Sequence, residues 1–441
     1  MRVRAPHLLI ACSLVALAGA ARAEDLKAAL DKDYPSLETL YRTIHSHPEL
    51  SGQEVESAKR LAEEARKAGF EVTEHVGGTG VVAVLKNGPG PTVMLRTELD
   101  ALPVEEKTGL AFASHVKVRS AKGEEIPVMH ACGHDIHMTV WTGVARRMAA
   151  EKDSWSGTLV LVGQPAEETI GGARAMLADG LFTRFPRPDY ALAVHDTNTL
   201  PAGKLAWTPG YSASASDSVD IEVPGIGGHG ALPQLTRDPV VLASTIVLSL
   251  QTLVSRNRDP LDPAVVTVGS IHGGSKHNII GSSVHMQLTV RSFKDETRKM
   301  LLDGIKRIAV NEGRAFGLPE DKLPVVTVSD ETTPSIYNDP ALVARLVPVF
   351  QAALGPENVE QAPPIMASDD FAEYGRVEPK IPSAMVEIGA VDPKIFATAD
   401  HNTLPGPHSP FWAPDAEPTI KTGVLTVVGA AQALMAKKAI N

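Results

Sequence analysis

The chain reads as an α/β protein interrupted by an inserted α+β domain, and three features of its 441 residues predict that class. Up to residue 215, short continuously apolar runs alternate with helical stretches, the pattern of a mostly parallel sheet buried on both faces. Residues 216–330 change to the order β-α-β-β-α-β, a ferredoxin-like antiparallel sheet with two helices on one face. Helix and strand alternate again over 331–441, so 24–215 and 331–441 are expected to build one split domain around the insertion.

The first 23 residues carry Arg2 and Arg4, an apolar run over 8–18, and the small-residue end Ala21-Arg22-Ala23. That layout is a secretory signal peptide, with cleavage expected after Ala23 and a periplasmic or secreted product. Residues 26–68 have helical spacing with one break at His47-Pro48-Glu49, and β-type runs follow at 80–85 and 91–95. Helical spacing returns over 138–150, a continuous apolar strand occupies 158–163, and Gly172–Ala178 reads as a helix. Inside the insertion, 218–223 alternates as a strand and 238–255 is a helix opened by Asp238-Pro239. Strands at 264–271 and 284–293, a long amphipathic helix at 295–316 and a strand at 323–328 complete it. An apolar helix at 419–439 closes the chain.

A net charge of -10 with no cluster of Lys or Arg argues against nucleic acid and anionic membranes as partners. Beyond the leader no segment approaches the ~20 uninterrupted apolar residues of a membrane span. Of the two cysteines, Cys12 lies in the leader, which leaves Cys132 alone in an oxidising compartment. A lone exported thiol is either buried and inert or kept for chemistry.

Four stretches carry candidate chemistry. Cys132-Gly133-His134 sets a thiol and an imidazole two residues apart at a turn entering a helix, which fits a metal site or a structural thiol equally. Glu167 and Glu168 directly follow an apolar strand, where open α/β sheets place their sites. Adjacent side chains diverge on an extended backbone, so one carboxylate can bind metal while the other works on a water. His195 ends another apolar strand, and His408 is fixed in a proline-bounded loop. Cys132, His134, Glu168, His195 and His408 together form a mixed sulfur, nitrogen and oxygen set, too rich for one catalytic zinc and suited to two divalent ions.

These words and others in the same order resemble the M20 metallopeptidases, specifically their N-acyl-amino-acid amidohydrolase branch. The others are His45-Ser46-His47-Pro48-Glu49-Leu50-Ser51, Arg96-Thr97-Glu98-Leu99-Asp100-Ala101-Leu102-Pro103, Gly227-Gly228-His229-Gly230-Ala231-Leu232-Pro233, Asp369-Asp370-Phe371 and His408-Ser409-Pro410. The resemblance implies that Cys132, His134, Glu168, His195 and His408 hold two metal ions, zinc or manganese, with cobalt or nickel also compatible. It makes Glu167 the general base and acid, and Asp100 an orienting partner for a metal-binding histidine. It further implies that the inserted domain is a lid that forms a homodimer, that His229 serves the neighbouring active site as an oxyanion donor, and that Asn278 and Arg291 meet the substrate carboxylate. The expected reaction is hydrolysis of an N-acyl or N-aroyl amino acid; a short peptide substrate, as in a dipeptidase or carboxypeptidase, is the alternative. A periplasmic binding protein without turnover would lack the base, and Glu167 is present. The chain departs from the family pattern at Glu98, usually Asp, and at Asp196-Thr197-Asn198, expected near the acyl pocket; an acid at Asp196 would favour the peptidase.

Overall fold

A computed structural model describes residues 7–120 and 123–437, with side chains from residue 24 onward. The leader expected over 1–23 falls outside this description in its first six residues and in all its side chains. The chain forms two compact units: residues 1–210, 337–363 and 373–441, and residues 211–336 with 364–372.

The first unit is built on an eight-stranded sheet in the order Glu71–Val76, Gly80–Asn87, Gly157–Gln164, Thr92–Glu98, Tyr190–Pro201, Ser383–Val391, Leu205–Trp207, Val359–Gln361. Its four central strands are parallel. Their apolar runs are continuous because both faces are covered, and Met94, Leu95, Val160, Leu161, Leu192 and Ala193 are all buried. The helices His7–His45, His134–Ala150 and Ala416–Leu434 contribute to the apolar core on one face. His134–Ala150 is buried through most of its length, and its buried Thr139 and Thr142 hydroxyls donate to the carbonyls of Asp135 and Met138 four residues back.

The register aligns the strand ends. Glu98 pairs with Gln164, Arg96 with Ala193, and His195 with Glu387, so Glu98, Gln164 and His195 reach one level at the C-terminal edge of the parallel sheet. That edge is where loops of an open α/β sheet converge.

The second unit has a four-stranded antiparallel sheet in the order Ala264–Gly273, Ser283–Ser292, Ala215–Pro224, Val325–Thr333, with the helices Pro239–Thr252 and Asp295–Ala315 packed in its core. This is the ferredoxin-like strand order. Alternation does the sorting: Val219, Ile221 and Val223 face the helices with Val284, Met286, Leu288 and Val290. Asp238 caps the first helix by accepting from the Val240 N–H at 2.9 Å. By length and composition the helical run Pro239–Asn257 could cross a membrane, at mean hydropathy 1.4. Here its Leu242, Ala243, Ile246 and Leu250 fill the unit's core.

Residues 364–372 belong with this second unit, whereas the sequence pattern places them with 331–441. Hydrogen bonds recruit them: the Ser214 N–H donates to the Ala367 carbonyl, and Arg291 Nη1 donates to Ser368 Oγ at 2.7 Å.

Candidate metal centre

At the strand-end edge of the first unit, Cys132, His134, Glu167, Glu168, His195 and His408 come together. Three overlapping sets, Cys132 with His134 and His195, Cys132 with Glu168 and His408, and His134 with Glu167 and Glu168, each bring their donor atoms within 4.8 Å of one another.

Each donor is aimed by its backbone. Gly133, at φ +77, turns the chain into the helix so that Cys132 and His134 fall on one side of the turn. His134 Nδ1 donates to the Asp100 carbonyl at 2.8 Å, which leaves Nε2 as the bare nitrogen. That Nε2 is buried, makes no hydrogen bond, and lies 3.9 Å from a carboxylate oxygen of Glu167 and of Glu168. His195 repeats the device: Nδ1 donates to the Asp196 carbonyl at 2.7 Å while Nε2 lies 3.6 Å from Cys132 Sγ. A buried, bare imidazole nitrogen facing carboxylates at a distance too long for hydrogen bonds fits a divalent cation as the missing partner.

The carboxylates stand on a bend with Ala166 at φ 50 and Ile170 at φ 54, both left-handed for residues that carry a Cβ. Asp100 ties this bend to the helix: its carboxylate accepts from the Glu168 N–H at 2.9 Å and from Ser51 Oγ at 2.6 Å, and lies 3.4 Å from His134 Nδ1. Burial works against the charged form of Asp100, but His134 and Ser51 outweigh it and hold its pKa below the usual value. His408, also left-handed at φ 69, is anchored by its N–H to the Ala131 carbonyl and reaches Glu168 Oε2 at 3.4 Å. Burial, then the Glu168 carboxylate, push the Cys132 thiol well above its ordinary value.

His229, Asn278 and Arg291 lie in the second unit. Gly228–His229 pairs with Ile279–Ile280, which sets exposed His229 and Asn278 on one paired loop. The Ala231 N–H donates to His229 Nδ1 at 3.0 Å, so Nε2 carries the proton and can donate. Arg291, half-buried on its strand, is held by Thr289 and Ser368.

Three buried groups accompany these residues. Asp196, expected on the acyl side, is buried, with its carboxylate against Gly133. His137 bridges Glu98, at 3.0 Å from Nδ1, and the Asp196 N–H, at 2.9 Å from Nε2. His45 is sealed between Asp135, at 2.7 Å, and Glu106, at 3.0 Å. Burial lowers the pKa of His45, yet the two carboxylates outweigh it and lift it from 6.5 to about 10. Protonated His45 therefore stabilises the fold fully below its ordinary value near 6.5, and that contribution is lost as pH rises toward 10. The melting temperature of the wild type is expected to fall more steeply between pH 7 and 10 than that of His45→Gln; parallel curves would refute the charged pair.

A donor cluster beside paired carboxylates, at the strand ends of such a sheet, is the layout of a metal-dependent hydrolase. The chain belongs to peptidase family M20/M25/M40, whose sequence pattern matches residues 94–411. It is similar to the hippurate hydrolase of Campylobacter jejuni, 36% identical over 76% of this chain and 84% of that protein. It is also similar to thermostable carboxypeptidase 1 of Saccharolobus solfataricus, 34% identical over 79% and 86%. Among solved structures it resembles the YXEP protein of Bacillus subtilis, a dinuclear metal binding peptidase from the M20 family. That match has a TM-score of 0.74 and 26% identity, over 92% of this chain and 99% of the other.

Proposed function

We propose that this protein is an exported, dinuclear metal-dependent amidohydrolase that splits N-acyl or N-aroyl amino acids into a carboxylate and an amino acid. The observation that carries the proposal is the cluster, buried at Cys132 and His134 and open to solvent at His408, in which these two converge with Glu168, His195 and His408 while Glu167 stands beside them. Those five residues would hold the cations; thiolate and imidazole favour zinc, and the carboxylate also suits manganese, cobalt or nickel. When bound, a pair of divalent cations supplies the charge that polarises an amide carbonyl and acidifies a water.

The chain's own groups do the rest. Glu167, on its strained bend beside His134, takes the proton from the attacking water and passes it to the departing amine. Asp100 keeps His134 and the Glu168 backbone in register, so the base and the cation ligands hold a fixed spacing. His229, from a second copy of the chain, donates through Nε2 to the developing oxyanion, while Asn278 and Arg291 receive the substrate carboxylate. Export through the residue 1–23 leader and a homodimer through the second unit complete the proposal.

The name of the hippurate hydrolase supports an acyl or aroyl group, and that of the carboxypeptidase supports peptides. Amino-acid release from matched N-acetyl, N-benzoyl and N-aminoacyl substrates, with and without a chelator and then with each metal restored, decides between them. Chelator-sensitive release from the acyl and aroyl conjugates is expected. Release from the aminoacyl set alone would make the protein a peptidase, and no release with any metal would remove the hydrolytic reading.

A further inference from the structure

Among the described residues Asp196 is an acid with both carboxylate oxygens buried and without a hydrogen bond. It follows His195 on the strand Tyr190–Pro201, its side chain is 0% exposed, and neither carboxylate oxygen makes a hydrogen bond. One oxygen lies 3.6 Å from His195 Nδ1 and 3.5 Å from His137 Nε2. The carboxylate presses so closely on the turn before the helix that a Cβ on Gly133 would stand 2.0 Å from Oδ2. A buried carboxylate with no donor costs stability, and a substitution that removed it would relieve that cost. Its position immediately behind the donor cluster offers a return on the cost.

We propose that Asp196 is a positioning residue for cation binding, whose sealed carboxyl group holds His195 with Nδ1–H inward and Nε2 toward Cys132. The proposal rests on the metal-centre reading above. A proton on His195 Nδ1 is attracted both to the Asp196 carbonyl at 2.7 Å and to the carboxylate at 3.6 Å. A carboxyl oxygen at Nδ1 also makes the His195 ring a stronger donor through Nε2 toward an arriving dication.

The rival role is structural, with Asp196 pairing with a protonated His137. A protonated His137 would stand between Glu98, 3.0 Å from Nδ1, and Asp196, 3.5 Å from Nε2. Against that pairing, the Asp196 N–H already donates to His137 Nε2 at 2.9 Å, a contact that fits only a ring without a proton there.

The two roles predict opposite signs. The full chain, its Asp196→Asn variant and a His195→Ala control are stripped with chelator, then titrated calorimetrically with zinc and with manganese, and the stripped proteins are melted. Asp196→Asn is expected to bind the ions about 10–100-fold more weakly, while the stripped variant melts above the stripped wild type. Unchanged affinity overturns the proposal. So does a lower melting temperature of the stripped variant, which would assign Asp196 to His137. Should the Asn chain not fold, Asp196→Ser carries the same test, and failure of both to fold assigns the carboxylate to the fold and overturns the proposal. Wild-type affinity in His195→Ala would instead overturn the metal-centre reading itself.

Discussion

Replacing Glu167 by Gln is expected to reduce turnover by about 10²–10⁴-fold, the usual contribution of a positioned acid or base, and to leave metal content unchanged. Gln keeps the size of the side chain and a carbonyl oxygen, so the bend between left-handed Ala166 and Ile170 has no reason to move. What it removes is the ability to take a proton from water and return it to an amine. The donor cluster remains complete, because Glu167 is not needed in the set formed by Cys132, Glu168 and His408 or in that formed by Cys132, His134 and His195. Steady-state rates and elemental analysis on one preparation separate the two quantities. Retained turnover would remove Glu167 as the base, and lost metal with lost turnover would make it a ligand.

Much of this was legible because the informative residues stand where local rules are strong. The central strands announce themselves through uninterrupted runs such as Val93-Met94-Leu95 and Leu159-Val160-Leu161-Val162, whose residues are buried on both faces. Glu71–Val76 offers no such run: Glu71, Thr73, Glu74 and His75 are polar, and only Val76 is fully buried. Its place at the edge comes from antiparallel pairing with Gly80–Asn87, a tertiary fact. Residues 364–372 carry no period either, and their attachment depends on Ser214 and Arg291, far away in sequence.

The site divides in the same way. Cys132, His134, Glu167, Glu168, His195 and His408 each sit at a strand end or a turn, which marked them as candidates, and the family resemblance supplied their roles. The pairs behind them join residues 39 apart, for Glu98 with His137, and 90 apart, for His45 with Asp135. No periodicity links such residues; burial of both partners in one crevice does. Nothing in the sequence says that the Asp196 carboxylate packs against the Gly133 turn, 3.6 Å from His195 Nδ1.

Cys132→Ser is expected to lose more cation affinity than any change behind the donor cluster, beyond the about 10–100-fold typical of supporting partners, because Cys132 belongs to two of the three donor sets described above. The pH dependence of binding supplies the sharper test. Burial and Glu168 push the Cys132 thiol well above its ordinary value, so in the metal-free chain at neutral pH it is protonated. A cation that takes the thiolate must therefore displace that proton, and affinity rises with pH. Serine at this position has no thiol proton to release. Calorimetric titrations in buffers of different ionisation enthalpy should count about one proton fewer released per chain in Cys132→Ser than in wild type. Equal affinity and equal proton release in the two proteins would leave Cys132 as a packing residue and shift the cation ligands to His134, Glu168, His195 and His408 alone. A difference of one proton ties the only cysteine of the first unit's described side chains to the metal, and accounts for a thiol kept without a partner: it is buried and, once bound, no longer a thiol.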